Sequence, residues 1–266
     1  MTDNQKNADR FKGFANIYDS ARPFVPLFPV EVIEKYLKKS PDTVVDLGCG
    51  TGLSSMIWCN HAKSVIGIEP SDDMISVAMT KSADNLSFIK GFSDNTGLCD
   101  NSASVVICSQ SFHWMNPQTT LSEVNRILKS GGIFATVDCD WPPIAGFEAE
   151  KAYSELYDYI KKIEREYDDI SDTFKRYPKS EHLNNIKNSG YFAYCREIVF
   201  ANHEKCTGDR LYNLLMSQGS TQIVLKKHPE LIADRLNEFK TLLDNIYGDK
   251  QFDIEFCYRM RIGIKA

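Results

Sequence analysis

The sequence lacks a Cys-x-x-Cys pair, an excess of positive charge, and any apolar run near the ~20 residues of a membrane helix. Its eight cysteines (Cys49, Cys59, Cys99, Cys108, Cys139, Cys195, Cys206 and Cys257) stand apart from one another. Zinc sites usually show close pairs with His partners at short spacing, so no metal is expected. Cysteines inside apolar runs, such as Cys108 in SVVICS, read as reduced, buried small hydrophobes of a cytoplasmic protein. Lys and Arg total 31 against 36 Asp and Glu, a formal charge of −5. A protein that tracks nucleic-acid phosphates needs a basic face, so no nucleic-acid partner is expected. The opening MTDNQKNADRFKGF has no apolar core of the signal-peptide kind, which argues against export and membrane insertion. Internal repeats and low-complexity tracts are also missing.

What is present is an ordinary globular composition, with 42% hydrophobic and 25% charged residues over 266 positions. At about 150 residues per domain, the length fits one large domain or one domain with an insertion. Residues 1–8 are polar and are expected to fray. Phe11, Phe14 and Ile17 suggest a short amphipathic helix over 9–18. The prolines of SARPFVPLFP then predict an extended arm, followed by a helix over 30–38. Apolar runs at 43–47, 64–69, 86–90, 103–110 and 132–138 alternate with helical patterns, including one over 117–129 closed by Gly131-Gly132. That rhythm predicts a parallel sheet wrapped by helices. Beyond it lie a helical stretch at 147–168, a strand at 191–201, and helices at 208–218 and 228–247. Strict alternation from Phe252 to Ile264 reads as an antiparallel strand with one wetter face. The expected fold is a doubly wound, mostly parallel seven-stranded α/β sheet, with an antiparallel last strand and a helical insertion after strand five.

The most informative segment is Val44-Val45-Asp46-Leu47-Gly48-Cys49-Gly50-Thr51-Gly52, a strand running into a glycine turn and a helix. Ligands of open α/β sheets bind at such strand ends. A dinucleotide fingerprint would place a small residue where Leu53 stands, and no Lys followed by Ser or Thr stands at phosphate-loop spacing. Asp46 would oppose a pyrophosphate but suits a cationic ligand such as S-adenosylmethionine (SAM). Glu69 ends the second strand, where an acid accepts hydrogen bonds from ribose hydroxyls. Dinucleotide enzymes share that acid, so Glu69 alone says only adenosine.

VVDLGCGTGLSS followed by VIGIEPSDDMISVA resembles the first two motifs of class I SAM-dependent methyltransferases. SQSFHWM and RILKSGG are similar to the runs that follow strand four and precede strand five in the small-molecule branch. IYDSARPFVPLFP resembles the arm of trans-aconitate-methyltransferase-like proteins. The resemblance covers roughly residues 9–138 and the closing strand. It implies a Rossmann-like enzyme that transfers the SAM methyl group, leaves S-adenosylhomocysteine and needs no metal. Asp46, Gly48, Gly50 and Gly52 would then cradle the methionine part, and Glu69 the ribose. Pro70 and Met74 would lie near the adenine, with Phe92, Ser93 and Asp94 at its edge. Many relatives carry Asp where Phe92 stands, so the adenine hydrogen bond can fall to Asp94. Ser109 and Gln110 would face the transferred methyl. Residues 1–28 would form an arm or lid bringing Tyr18 and Arg22 to the cofactor. Residues 29–140 would be the SAM-binding core, 141–190 an acceptor cap, and 191–266 the completion of the core.

The acceptor side is less determined. His113 can take a proton or merely wall the pocket, since many methyl transfers need positioning alone. Trp114, Trp141 and Tyr153 are candidate acceptor contacts, although helical spacing makes core packing the readier use of the Tyr153 stripe. The Lys/Glu mix of KKIEREYDD reads as a wet helix face. The run after strand four is not the Asn/Asp-Pro-Pro-aromatic type of base methyltransferases, and paired acids of the arginine-methylating kind are absent. The acceptor is expected to be a small molecule, with the resemblance pointing toward a carboxylic acid. A non-catalytic SAM or adenosine binder, and a carrier-bound or larger natural-product acceptor, remain open.

Overall fold

The computed structural model describes residues 2–13 and 15–266. In chain order the elements are α1 (Asp3–Asp9), α2 (Ala15–Ala21), α3 (Phe28–Leu37), β1 (Thr43–Leu47), α4 (Leu53–Ile57), β2 (Ser64–Glu69), α5 (Asp72–Ala78) and β3 (Leu86–Lys90). Then come β4 (Ala103–Ser109), α6 (Pro117–Ile127), β5 (Leu128–Cys139), α7 (Phe147–Glu166), α8 (Asp168–Ser171) and α9 (His182–Asn188). The chain ends with β6 (Phe192–Cys206), α10 (Gly208–Met216), α11 (Gly219–Lys227), α12 (Ala233–Tyr247) and β7 (Phe252–Lys265). No helix among the described residues is long and apolar enough to cross a membrane.

The seven strands form one sheet in the order β3-β2-β1-β4-β5-β7-β6. Strands β1 to β5 pair in parallel, and β7 runs antiparallel to both neighbours, as the sequence pattern predicts. Successive residues serve opposite faces, which is why the central strands carry apolar residues toward both helical layers. Val44, Val105, Ile107 and Ile133 join the cluster that holds Val30 and Ile33 of α3 and Ile160 of α7. Val45, Val106, Cys108 and Phe134 join Leu121, Val124 and Ile127 of α6 and Ile186 of α9 on the other side. Burying each large aliphatic side chain contributes about 1.5–3 kcal/mol. The strand order reverses at β1, between β2 and β4, so the cleft opens at their carboxyl ends.

Several boundaries differ from the expectations. Residues 3–9 form α1 instead of fraying, because Thr2 caps the helix by accepting from the Gln5 N–H and Asn7 and Ala8 are buried. The helix expected over 9–18 is a turn followed by α2, and Phe14 lies outside the described residues. Helix α3 starts at Phe28 with a proline in its first turn, where a missing N–H is harmless. Helix α6 ends at Ile127. Pairing jumps from Ala103↔Leu128 to Val105↔Ile133, so Gly131 and Gly132 lie in a bulge of β5 and not at a helix cap. Three helices, not two, separate β6 from β7. His228 precedes Pro229 and leaves the helical region (φ −142°), which ends α11. Helices α11 and α12 pack against α7, so segments on both sides of β6 build one helical layer.

Candidate active site

Strand β1 turns into α4 through Gly48–Gly52. Gly48 has φ +66° and donates its N–H to the Ile68 carbonyl at 2.8 Å. A Cβ there would come within 2.7 Å of Ser111 Cβ, so glycine lets the loop lie against the turn after β4. The Ser111 hydroxyl fixes that turn by donating to the Leu47 carbonyl at 2.6 Å. Gly52, at φ +83°, opens α4, and a Cβ there would meet Phe88 Cζ at 2.8 Å.

Two buried acids sit at this corner. Glu69 Oε2 accepts the Gly50 N–H at 2.9 Å, and Oε1 accepts the Ser71 N–H at 2.8 Å. The carboxylate therefore ties the glycine loop to the start of α5. Burial raises it to about 7 despite those two donors. Asp46 is fully buried; its Oδ2 accepts the hydroxyls of Ser54 (2.6 Å) and Ser55 (2.7 Å), while Oδ1 has no hydrogen-bond partner among the described residues. Burial pushes it up to about 6, against the two hydroxyls.

A cavity opens above these acids. Of the expected cofactor residues it is lined by Tyr18, Arg22, Gly48, Gly50, Glu69, Pro70, Met74, Phe92, Ser93, Ser109 and Gln110. Three others stand elsewhere. Asp46 lies beneath the loop, where it holds the start of α4. Gly52 faces Phe88 of β3. Asp94 accepts the Asn4 side-chain amide at 2.8 Å and does not line the cavity. Glu69 and Arg22 are the only charged residues in the described lining.

Residues 1–28 were expected to form an arm or lid, but the sequence did not single out the residues of α1 and the turn after it that roof the cavity. Asn4, Asn7, Ala8 and Phe11 line the cavity from above. Asn7 donates its amide to the carbonyls of Trp114 (2.7 Å) and Lys175 (2.8 Å) and accepts the Lys175 N–H at 2.8 Å. Arg10 is buried in an ion pair with Glu164 of α7. Arg22 donates to the Ser217 carbonyl at 3.0 Å, and its guanidinium lies 4.4 Å from the Tyr18 ring centre and 5.4 Å from that of Trp141. Only long-range partners make Asn7 and Arg10 structural, and no local periodicity announces them.

A second cavity adjoins the first. Phe11, Tyr18, Arg22, Gln110, Trp114, Cys139 and Trp141 line both. Its further wall holds His113, Tyr157, Lys161, Arg176 and Lys179. Lys161 belongs to the stretch read as a wet helix face, and here it faces this cavity. Tyr153, an expected acceptor contact, lines neither cavity; it is 1% exposed and stacks on Trp141 with ring centres 6.4 Å apart. Gln110 holds a left-handed backbone (φ +57°) at the junction, with its N–H on the Val137 carbonyl. Its side-chain carbonyl accepts from Lys179 Nζ at 3.0 Å.

Below this wall lies Asp138, surrounded by Lys179 (3.2 Å), Arg261 (2.9 Å), His182 (3.0 Å) and His113 (3.7 Å). Burial alone would raise its carboxyl; Lys179 and the two histidines outweigh that and hold it well below the usual range. His113 is buried, and burial followed by repulsion from Lys179 holds its imidazole well below the ordinary histidine range. Its Nδ1 has no hydrogen-bond partner among the described residues.

Residues 45–136 match a family model described as a methyltransferase domain. Over 124 residues the chain is 34% identical to the protein named probable S-adenosylmethionine-dependent methyltransferase CRG1 of Saccharomyces cerevisiae, covering 44% of this chain and 43% of that one. It is 29% identical over 122 residues to an uncharacterized methyltransferase of Mycobacterium bovis, covering 46% and 49%. These matches thus span about half the length of the curated relatives. The fold resembles that of a candidate type II methyltransferase from Anaeromyxobacter dehalogenans, with TM-score 0.66, 19% identity, and 91% and 98% of the two chains covered. Glycine loop and strand order together define a class I methyltransferase fold. Residues 45–136 are thus similar to a methyltransferase domain, carried on a sheet of that fold.

Proposed function

We propose that the protein transfers the methyl group of SAM to a small-molecule acceptor by in-line displacement. The observation that carries this reading is the charge pattern of the first cavity: one buried acid, Glu69, at the loop end, and one cation, Arg22, at the other wall. A ligand with ribose hydroxyls and a carboxylate fits that pattern, and Leu53, in place of the small residue of a dinucleotide loop, argues against a pyrophosphate.

The residues fit SAM in further respects. Each oxygen of Glu69 accepts one backbone N–H and keeps a lone pair for a ribose hydroxyl. Arg22 offers a planar fork to a carboxylate. Phe92, Pro70 and Met74 supply apolar contact for adenine, and Tyr18 and Trp141 supply rings near the site of positive charge. When bound, SAM supplies a methyl carbon on cationic sulfur, so an acceptor lone pair forms the new bond as the C–S electrons return to sulfur. Gln110 and Ser109, at the end of β4, and Trp141, after β5, hold the acceptor against that line. His113 is assigned to the wall, because its ring is buried, lies 3.7 Å from the Asp138 carboxylate and does not line the first cavity. The acceptor enters through the second cavity, which meets the first at Gln110 and Trp141.

Titration calorimetry with SAM, S-adenosylhomocysteine and NADH tests this reading. Binding of the first two without NADH is the expected outcome. Tight NADH binding with no SAM binding by folded protein would overturn it.

A further inference from the structure

The second cavity carries positive charge that its own walls do not neutralise. Arg22, Lys161, Arg176 and Lys179 line it, and the one acid in the lining, Asp140, is engaged by Arg259 at 2.9 Å. Behind the wall, Glu164 pairs with both Arg10 and Arg176, while Asp138 pairs with Lys179 and with Arg261, which Glu197 also engages at 2.8 Å. Lys161 has no carboxylate within ion-pair distance among the described residues, and its ammonium sits 4.5 Å from the centre of the Tyr157 ring. Burial and then repulsion from Arg176 lower its pKa. A protein rarely holds like charges together in a half-buried wall unless a counter-charge arrives.

The charges are also placed asymmetrically. Lys161, Arg176 and Lys179 line only the second cavity, whereas Gln110 and Trp141 line both. Arg176 is stiffened by stacking at 4.7 Å from the Trp114 ring centre. Lys179 is anchored to Gln110 and Asp138, so its head stays at the neck between the cavities.

We infer that Lys161 and Arg176 seat an oxyanion of the acceptor, a carboxylate or a phosphate, at the end remote from its reacting atom. The acceptor then spans the second cavity, anionic group outward and methyl-accepting atom at the Gln110–Trp141 neck. This assignment rests on the methyltransferase reading of the first cavity for which end reacts.

Binding of glutarate, its neutral diamide and inorganic phosphate to the full-length protein, with and without S-adenosylhomocysteine, tests the subsite. Glutarate or phosphate should bind at least tenfold more tightly than the diamide, and whichever binds better names the oxyanion. Lys161→Met should weaken that anion about tenfold or more and leave SAM affinity within about twofold, while Lys161→Arg should restore most of the loss. Without ligand, Lys161→Met should raise Tm by about 2 °C or more, because a repelled, half-buried charge is removed. Equal binding of diamide and anions, or undiminished anion binding in Lys161→Met, would overturn the subsite. SAM binding with no anion preference defeats this inference alone. Anion binding with no SAM binding preserves the oxyanion seat and defeats the cofactor reading.

Discussion

At the residue scale, Glu69 joins the local sequence most directly to the proposed chemistry. Its position at a strand end after a glycine loop is legible because both neighbours lie within 19 residues of it, and Gly50 and Ser71 hold the carboxylate. Asp46 shows where such reading stops. An acid in the loop motif is visible in sequence, but whether it faces ligand or supports the loop depends on Ser54 and Ser55, eight and nine residues on at the start of α4. The raised values of the two acids, about 7 for Glu69 and about 6 for Asp46, make a signed prediction. The folded protein holds these protons more tightly than the unfolded chain. The resulting stabilisation is complete below the ordinary carboxylate range and is lost as pH rises through about 6 and 7. Ribose binding favours the ionised Glu69, so SAM affinity should rise about tenfold between pH 6 and pH 8. Glu69→Gln should flatten that slope. It should also cost about 1–3 kcal/mol, because its amide must point an N–H at one of two backbone donors. Calorimetry at the two pH values reads the slope, and identical slopes in wild type and variant would remove Glu69 from the ribose site.

At the element scale, the sheet was readable through β5 because the strands are short, mostly apolar runs between turn signals, with β1, β2 and β4 largely buried. Element ends were less so. The bulge at 129–132 is set by pairing with β4, and the break before Pro229 by a single residue's backbone. Helix α1 was missed because it buries only one apolar residue, Ala8, and its buried Asn7 finds its partners 107 and 168 positions away. The basic wall of the second cavity was missed for the same reason: Lys161, Arg176 and Lys179 stand on α7 and the loop beyond it and converge only in the folded chain. Gly52 offers a test of the packing role of the loop. Alanine there would hold a left-handed backbone and press its Cβ on Phe88. Gly52→Ala should cost about 1–3 kcal/mol in urea unfolding, and SAM affinity of the folded fraction should stay near wild type, since the side chain would point at β3 and not into the cavity. A large loss of affinity at unchanged stability would place Gly52 against the cofactor after all.

At the scale of the whole molecule, the first cavity is roofed by chain that belongs to neither main core. Residues 2–27 meet the body through a small apolar cluster, with Ala15 and Met74 buried and Phe11, Ile17, Tyr18 and Val77 around them. Polar contacts complete the seat: Arg10 with Glu164, Asn7 with Trp114 and Lys175, Arg22 with Ser217, and Lys81 with Asp19. Segments held by few buried apolar contacts open at lower free energy than the sheet they cover. Asn7, Phe11, Tyr18 and Arg22 line the cavity, so a cofactor enclosed there touches the roof and is bound most tightly by the closed arrangement. Ligand affinity and closure are then linked. At a SAM concentration 100 times its Kd, the open population should fall about 100-fold, and cleavage by a protease that needs the open form should slow by a similar factor. Limited proteolysis within residues 9–28, where Phe24 is 72% exposed and Leu27 51%, measures this directly. Sites inside α12 serve as the internal control, since they should be protected only by whatever SAM adds to global stability. Deletion of residues 1–22 should leave a folded domain with much weaker SAM binding, because Tyr18 and Arg22 go with the roof. Equal cleavage of the arm with and without SAM, together with full activity of the deletion variant, would show that the roof only covers the sheet edge and that Tyr18 and Arg22 are structural.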